Sequence, residues 1–401
     1  MNPETHRDLR RRLRPLYVAV FFLSFVLWYA IEKLFLRSIG FDDALIGMVF
    51  AVFSAVILFV EIPCGVLADR WSRRGVLVLA SLTLLIATLI GGLSYGPPMY
   101  FASAVVWAIF FALYSGTCDS IIYDTMIEEK VPTKQFDYYL GRVRVMISIA
   151  SVAGSLAGGL VAQLIGLRWA YLLTIPLVLP SFIALWKLRE PRLHKSLEAT
   201  SLGSHLRATL RAVLQRGRLL RIIATLSLIS ALLYTVTEFN QLWSIALLAP
   251  IVLYGPINAL HLATGGIGGW VAGRVRLNRL PVMLAVLGIL LASSLCLVFS
   301  RNLALTVAAI AVFCSCLYAI TIVFNRYLHE LIPSNVRAGA SSMTSTIGRI
   351  IIIPLSLGIG YLSTHTDIFH ASWLVVGLAM LLSVLIIRSY FGKHALQKEV
   401  G

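Results

Sequence analysis

Charge is scarce in this sequence. Asp, Glu, Lys and Arg together make up 13% of its 401 residues, about half the share of an ordinary soluble domain. Hydrophobic residues make up 59%, and the mean hydropathy is +0.86; a soluble globular fold is excluded. No Gly-x-x-x-x-Gly-Lys-Ser/Thr phosphate loop occurs, so the chain carries no ATPase of its own. No catalytic triad or paired-carboxylate site stands out, and no enzyme activity is expected. The five cysteines (Cys64, Cys118, Cys296, Cys314, Cys316) form no Cys-x-x-Cys and no metal-ligand spacing. They sit in or beside apolar runs and read as reduced packing residues. No cofactor or resident metal is expected.

What the sequence has instead is long apolar runs. A membrane span needs about 20 such residues, and about twelve stretches qualify. They lie near 15–39, 43–68, 75–95, 99–124, 138–164, 168–187, 219–248, 250–273, 281–300, 303–325, 337–362 and 369–391. The fold class is therefore an all-α membrane bundle. The first run, from Pro15 to Phe41, follows an Arg-rich start as a signal peptide would, but it is too long for one and reads as span 1.

The net charge of +16 could suggest nucleic acid, but its distribution argues for a membrane. Of 34 Lys and Arg residues, 29 fall in the N-terminal segment, in alternate loops or in the C-terminal segment. The other five are Lys33, Arg37, Arg168, Arg301 and Arg349. Cytoplasmic loops collect Lys and Arg, so both termini and the central loop are expected in the cytoplasm, in a plasma membrane. Some of these basic residues are also positioned to touch anionic lipid.

The second half echoes the first. Gly269 to Arg274 follows Gly65 to Arg70 by 204 residues, with Gly273 where Asp69 stood. Glu129 and Glu330 are 201 apart, and Glu32 and Glu238 are 206 apart. Near-constant offsets predict two parallel six-helix repeats: an N-terminal half over 1–187, a basic linker over 188–218 and a C-terminal half over 219–401. Leu206, Leu210 and Leu214 predict a short linker helix lying on the membrane.

Between spans 2 and 3 the chain turns in a few residues that carry Asp69, Arg70, Arg73 and Arg74. This loop resembles the signature Gly-x-x-x-Asp-Arg-x-Gly-Arg-Arg of the major facilitator superfamily. Gly65, Asp69, Arg70, Arg73 and Arg74 match, and Ser72 stands where a second Gly is usual. The preceding Glu61-Ile62-Pro63-Cys64-Gly65, and Ser115-Gly116-Thr117 with Tyr123-Asp124, resemble a subset of that superfamily rich in drug exporters. Gly154, Ser155, Gly158 and Gly159 resemble its antiporter motif Gly-Pro-x-x-Gly-Gly, with Ser155 in place of Pro. As bare residues, these small side chains predict close helix packing.

The resemblance implies a gate at the cytoplasmic surface. Asp69 would cap the start of span 11, where helix N-termini favour anions. Arg70, Arg73 and Asp124 would complete its charge network, with Asp119 a turn deeper. Many proton antiporters of the family carry an Arg four residues before the Gly of span 4; here Ala112 stands at that distance from Gly116.

Charges within a span are functional candidates by default, because each costs about 2.5–3.5 kcal/mol on insertion scales. Glu32, Glu238, His261 and Arg349 fall well inside spans 1, 7, 8 and 11. With the family's arrangement, they are expected in a central polar cavity walled by Trp28, Tyr29, Trp243 and Tyr318. Asn240, Gln241 and Asn258 would hydrogen-bond substrate. Glu32 or Glu238 would carry a proton, since burial favours the neutral acid; for Glu32 the competing reading is a local pair with Lys33. His365 and His370 flank Asp367 in the loop before span 12 and read as solvated loop rather than a metal site.

These readings imply a secondary transporter working by alternating access. The resemblance points to proton-coupled export of a small hydrophobic or cationic molecule, that is, a multidrug antiporter. Uptake or facilitated diffusion of a polar or anionic metabolite, and a transporter-like sensor or scaffold that moves nothing, stand as alternatives. The expected partners are a small-molecule substrate, protons and the bilayer, with no nucleic acid. A monomer is expected.

Overall fold

A backbone inside a bilayer has no water to bond to, so every span must satisfy its own peptide groups as helix. A computed structural model describes residues 3–191, 217–331 and 337–399, and all regular structure among them is helical. In chain order the helices are α1 (Pro3–Ser24), α2 (Glu32–Ser38), α3 (Asp43–Arg70), α4 (Arg73–Leu93), α5 (Pro97–Tyr114), α6 (Thr117–Glu128), α7 (Phe136–Ile165) and α8 (Leu167–Lys187). They continue as α9 (Gly217–Ala246), α10 (Ile251–Arg274), α11 (Leu280–Phe299), α12 (Leu303–Leu331), α13 (Arg337–His365) and α14 (Ile368–Glu399). Among the described residues, eleven helical stretches are long and apolar enough to cross a membrane. Helix α10 is long enough at 24 residues, but it is rich in glycine and carries Asn258 and His261. The predicted linker helix over 206–214 lies outside the described residues.

Two spans expected to be continuous are broken. Span 1 stops at Ser24, passes through non-helical residues and a single 3-10 turn, Trp28–Ala30, and restarts as α2 at Glu32. The cause lies on α7. A Cβ at Gly158 would sit 1.8 Å from the Leu27 carbonyl oxygen, and one at Gly154 would sit 3.0 Å from that of Val26. The two glycines leave room for a displaced backbone. Its freed Leu27 N–H donates to Thr174 Oγ1 of α8 at 3.1 Å, which offsets the lost helical bond. Span 4 breaks at Ser115 and Gly116, where Gly116 has φ of +73°, a left-handed conformation that glycine adopts without a Cβ clash.

Helix α1 begins well before the predicted span. Leu9, Leu13, Leu16 and Val20 recur at helical spacing and pack with Ile121, Ile122, Met126 and Leu185. Arg12, on another face of α1, reaches Glu128 and Glu129 at 2.6 Å each. The basic N-terminal segment is thus docked on the end of α6.

By contact, the described chain divides into two units. One holds residues 3–41, 52–191 and 250–262; the other holds 42–51, 217–249, 263–331 and 337–399. Close glycine crossings explain why each unit takes a piece of a distant helix. In the first unit, a Cβ at Gly159 would lie 2.9 Å from Gly255 N, and Asn258 Nδ2 donates to Ser155 Oγ at 2.8 Å. In the second, a Cβ at Gly47 would lie 3.1 Å from the Cα of Gly360. There α13 also caps α3: Thr364 Oγ1 accepts the Ala44 N–H at 2.7 Å, and Ser363 Oγ donates to Asp43 Oδ2 at 2.6 Å.

Candidate functional site

The loop between α3 and α4 is built around the start of α4. Ser72 caps that helix, accepting the Gly75 N–H at 2.8 Å, and its hydroxyl donates to Glu190 Oε2 at 2.8 Å. The departure from the usual glycine at this position is therefore an N-cap. Glu190, which the sequence reading passed over, lies beside the positive end of α4, where a carboxylate is favoured.

Arg73 is the buried centre of the loop. It forms a close ion pair with Asp124 of α6, donates to the Ser120 carbonyl at 3.1 Å, and lies 3.6 Å from Asp69. Arg73 is 7% exposed, whereas the Asp69 side chain is 71% exposed. Arg70 and Gly65 face outward as well. Arg74 donates to the Leu188 carbonyl at 3.4 Å and sits over the Trp186 ring at 5.7 Å. Asp119 pairs with Arg144 at 3.4 Å, a contact separate from the one at Arg73. The expected partner of Asp69 is the start of span 11 at 337, and the side chains of 337–341 lie outside the described residues.

The break in span 1 creates a second constellation, all within the first unit. Glu32 opens α2 and pairs with Lys33 at 2.7 Å, with side chains 16% and 3% exposed respectively. Its other oxygen accepts the Tyr100 hydroxyl at 2.7 Å, and Tyr100 and Tyr171 share a 3.0 Å hydrogen bond. Trp28 stacks on Tyr171 with ring centroids 4.8 Å apart. From Tyr29 a row of half-buried rings continues: Tyr29 to Trp107 at 5.3 Å, Trp107 to Phe111 at 5.1 Å, and Phe111 to Phe53 at 5.5 Å. Tyr100, Tyr171, Trp107, Phe111 and Phe53 carry no sequence signal that links them to Glu32. They come from α3, α5 and α8, up to 139 positions away in the chain.

The other expected cavity residues are distributed between the units. His261, buried on α10, and Asn258, bonded to Ser155, belong to the first. In the second, Glu238 on α9 and Arg349 on α13 are half-buried. Asn240 and Gln241 are buried, and the Asn240 amide donates to the Thr237 carbonyl. Tyr318 on α12 lies with its ring 3.6 Å from the Cβ position of Gly265. Trp243, expected as a cavity wall, is buried in this structure and donates from Nε1 to the Leu297 carbonyl at 3.4 Å. Trp28, also expected as a wall, is buried too, while Tyr29 beside it is half-buried.

No cluster of metal-binding side chains occurs among the described residues. Asp367 caps α14 by accepting the His370 N–H at 2.7 Å and pairs with the His370 ring at 2.9 Å, while His365 Nδ1 lies 2.8 Å from the Tyr361 carbonyl.

The family model described as Major Facilitator Superfamily matches residues 15–354. The chain is 29% identical over 111 residues to a protein of Streptococcus pneumoniae named multi-drug resistance efflux pump PmrA, covering 27% of this chain and 26% of that one. It is 25% identical over 190 residues to the MFS-type efflux transporter ffsH of Aspergillus flavipes, covering 47% and 31%. These matches span no more than about a third of either relative's length. Among solved structures, the nucleoside transporter NupG superposes with a TM-score of 0.75 at 15% identity, covering 94% of this chain and 98% of that one. A bacterial homolog to the human lysosomal transporter Spinster, inward-facing and unoccupied, gives 0.76 at 14% identity, covering 97% and 98%. At these identities the likeness is one of fold.

Proposed function

The chain belongs to the Major Facilitator Superfamily, and we propose that it exports a small hydrophobic molecule by alternating access, coupled to protons at Glu32. The observation that carries this reading is Glu32 itself, a carboxylate in predicted span 1, held between Lys33 and Tyr100 at a break in its helix. Protonation of Glu32 would dissolve the ion pair, and its release would restore it, so the group has two states of different local charge. The row of rings from Tyr29 to Phe53 supports an apolar solute beside it. The partial relatives named as efflux pumps favour export.

In the same reading, the Asp69–Arg74 loop faces the cytoplasm of a plasma-membrane protein with both termini inside, as its basic residues favour. Asp69, mostly exposed, is then the gate residue, and Arg73 with Asp124 is the anchor that holds its loop. The protein works as a monomer. A second reading, uptake of an anionic metabolite, is favoured by Arg349, a cation within a predicted span.

The test is dye accumulation in energised everted vesicles, with and without a protonophore, comparing the wild type with Glu32→Gln. Flux in the wild type that collapses with protonophore, and its loss in Glu32→Gln, is the expected result. Undiminished proton-driven flux in Glu32→Gln would remove Glu32 from the coupling.

A further inference from the structure

An isolated carboxylate in a membrane span attracts cations, and Glu32 read by itself suggests a cationic substrate. The geometry around it argues the reverse. Neighbouring residues of a regular helix point about 100° apart. At the restart of span 1, where Ile31 has φ of −124° and ψ of 10°, Lys33 Nζ nonetheless lies 2.7 Å from Glu32 Oε2. The chain supplies its own cation. The second carboxylate oxygen is taken by the Tyr100 hydroxyl, so both oxygens of Glu32 already have strong donors.

Three residues before Glu32, Tyr29 opens a row of aromatic side chains. Tyr29, Trp107, Phe111 and Phe53 meet edge to face, an arrangement that presents ring faces to a flat molecule. Within the same ring cluster lies Trp28, 3% exposed, with its ring centroid 4.9 Å from Tyr29 and 5.0 Å from Trp107. Its indole N–H has no acceptor among the described residues. Buried donors are nearly always satisfied; this one is closed in among half-buried rings, so a ligand acceptor reaches it when those rings part around a solute.

We infer that this wall binds an uncharged, planar aromatic solute carrying a hydrogen-bond acceptor, and that Lys33 sets this preference by occupying Glu32 in place of a cationic solute. The inference rests on the transporter reading of the Glu32 site and narrows its substrate to the neutral class. A solute cation would have to displace a tethered ammonium, which binding from solution does at a disadvantage. The roles of the residues differ: the rings contact the solute, Trp28 donates to it, and Lys33 excludes its charged analogues.

The test uses the purified full-length protein and titrations with acridone, N-methylacridinium and anthracene. All three share the fused-ring shape; acridone is neutral with a carbonyl acceptor, the second is a permanent cation, and the third lacks an acceptor. The wild type is expected to bind acridone at least about tenfold more tightly than either analogue. Lys33→Met frees the Glu32 carboxylate and is expected to reverse the order of acridone and the cation, while Lys33→Arg retains it. Equal or tighter binding of the cation by the wild type overturns the inference, as does an order that Lys33→Met leaves unchanged. Should Lys33→Met fail to fold, Glu32→Gln with Lys33→Met removes both charges and is expected to keep acridone ahead of the cation; the opposite order overturns the inference. Flux of the same three compounds in proteoliposomes is read separately. Acridone binding without flux sinks the transporter reading and leaves the site standing. Flux of other solutes without acridone binding sinks the site and leaves the transporter.

Discussion

Replacing Gly158 with alanine adds one methyl group at the point where α7 supports the break in span 1. Its Cβ would stand 1.8 Å from the Leu27 carbonyl oxygen, 2.7 Å from the carbonyl carbon and 3.1 Å from the Cα. A carbon and an oxygen in contact sit about 3.3 Å apart or more, so one of the two backbones must move by roughly 1.5 Å. Overpacked cores typically lose about 1–3 kcal/mol when side chains can adjust. Here every near atom is backbone, which places the cost at the upper end, about 3 kcal/mol, a factor of roughly 150. Gly141 lies on the same helix with nothing within 4 Å of its Cβ position. There alanine is expected to stabilise by about 0.5–1 kcal/mol through helix propensity. The assay is thermal unfolding of the two variants in detergent, followed by helical circular dichroism. Gly158→Ala should melt below the wild type and Gly141→Ala at or above it. If Gly158→Ala melts with the wild type, the glycine does not hold the break open and the explanation for span 1 is wrong.

Asp69→Asn is expected to abolish transport while leaving insertion and melting temperature unchanged, because its side chain is mostly exposed; vesicle flux and thermal unfolding read the two effects separately. Asp124→Asn, by contrast, leaves the buried Arg73 guanidinium with only exposed Asp69 at 3.6 Å as a counter-charge; breaking a buried pair costs about 3–5 kcal/mol at most here, so a lowered yield of folded protein in detergent is the expected outcome. Burial raises the affinity of Asp367 for its proton, but hydrogen bonds from the His370 backbone and ring outweigh it and hold the carboxyl below its ordinary value of 3.8. Its contribution to stability is therefore present above that ordinary value and is lost as pH falls through the lower folded one. Asp367→Asn should flatten this acid-side decline in a pH series of melting curves, and an unchanged decline would count against the cap.

Some of the site was legible in the residues and some was not. The turn after span 2 announced itself because its charges are adjacent in the chain, and Arg73 and Asp124 do meet. Ser72 looked like a departure from a pattern, and its use as a helix cap follows from local geometry a reader could have anticipated. Ser155 is different. Its hydroxyl donates to the Ser151 carbonyl on its own helix and accepts from Asn258 on α10, a partner 103 positions away that no local pattern indicates. Glu32 stands out as a charge in an apolar run, and Lys33 beside it in the chain is its partner in the fold. Tyr100 and Tyr171 were not visible, since an aromatic in a membrane span is ordinary until its neighbours are known.

The residues alone determined that this chain is a helical membrane protein, the approximate places of most of its helices, and which loop carries the family's signature. Those properties depend on hydrophobicity and charge over short stretches, and a bilayer forces such stretches into helix whatever surrounds them. Only the tertiary structure decided that span 1 is broken at Phe25 to Ile31 and that Glu32 is held between Lys33 and Tyr100. Nothing in Phe25-Val26-Leu27-Trp28 breaks a helix by itself. The break exists because Gly154 and Gly158, more than a hundred residues later, leave space for a displaced backbone, and because Thr174 accepts the N–H it sets free.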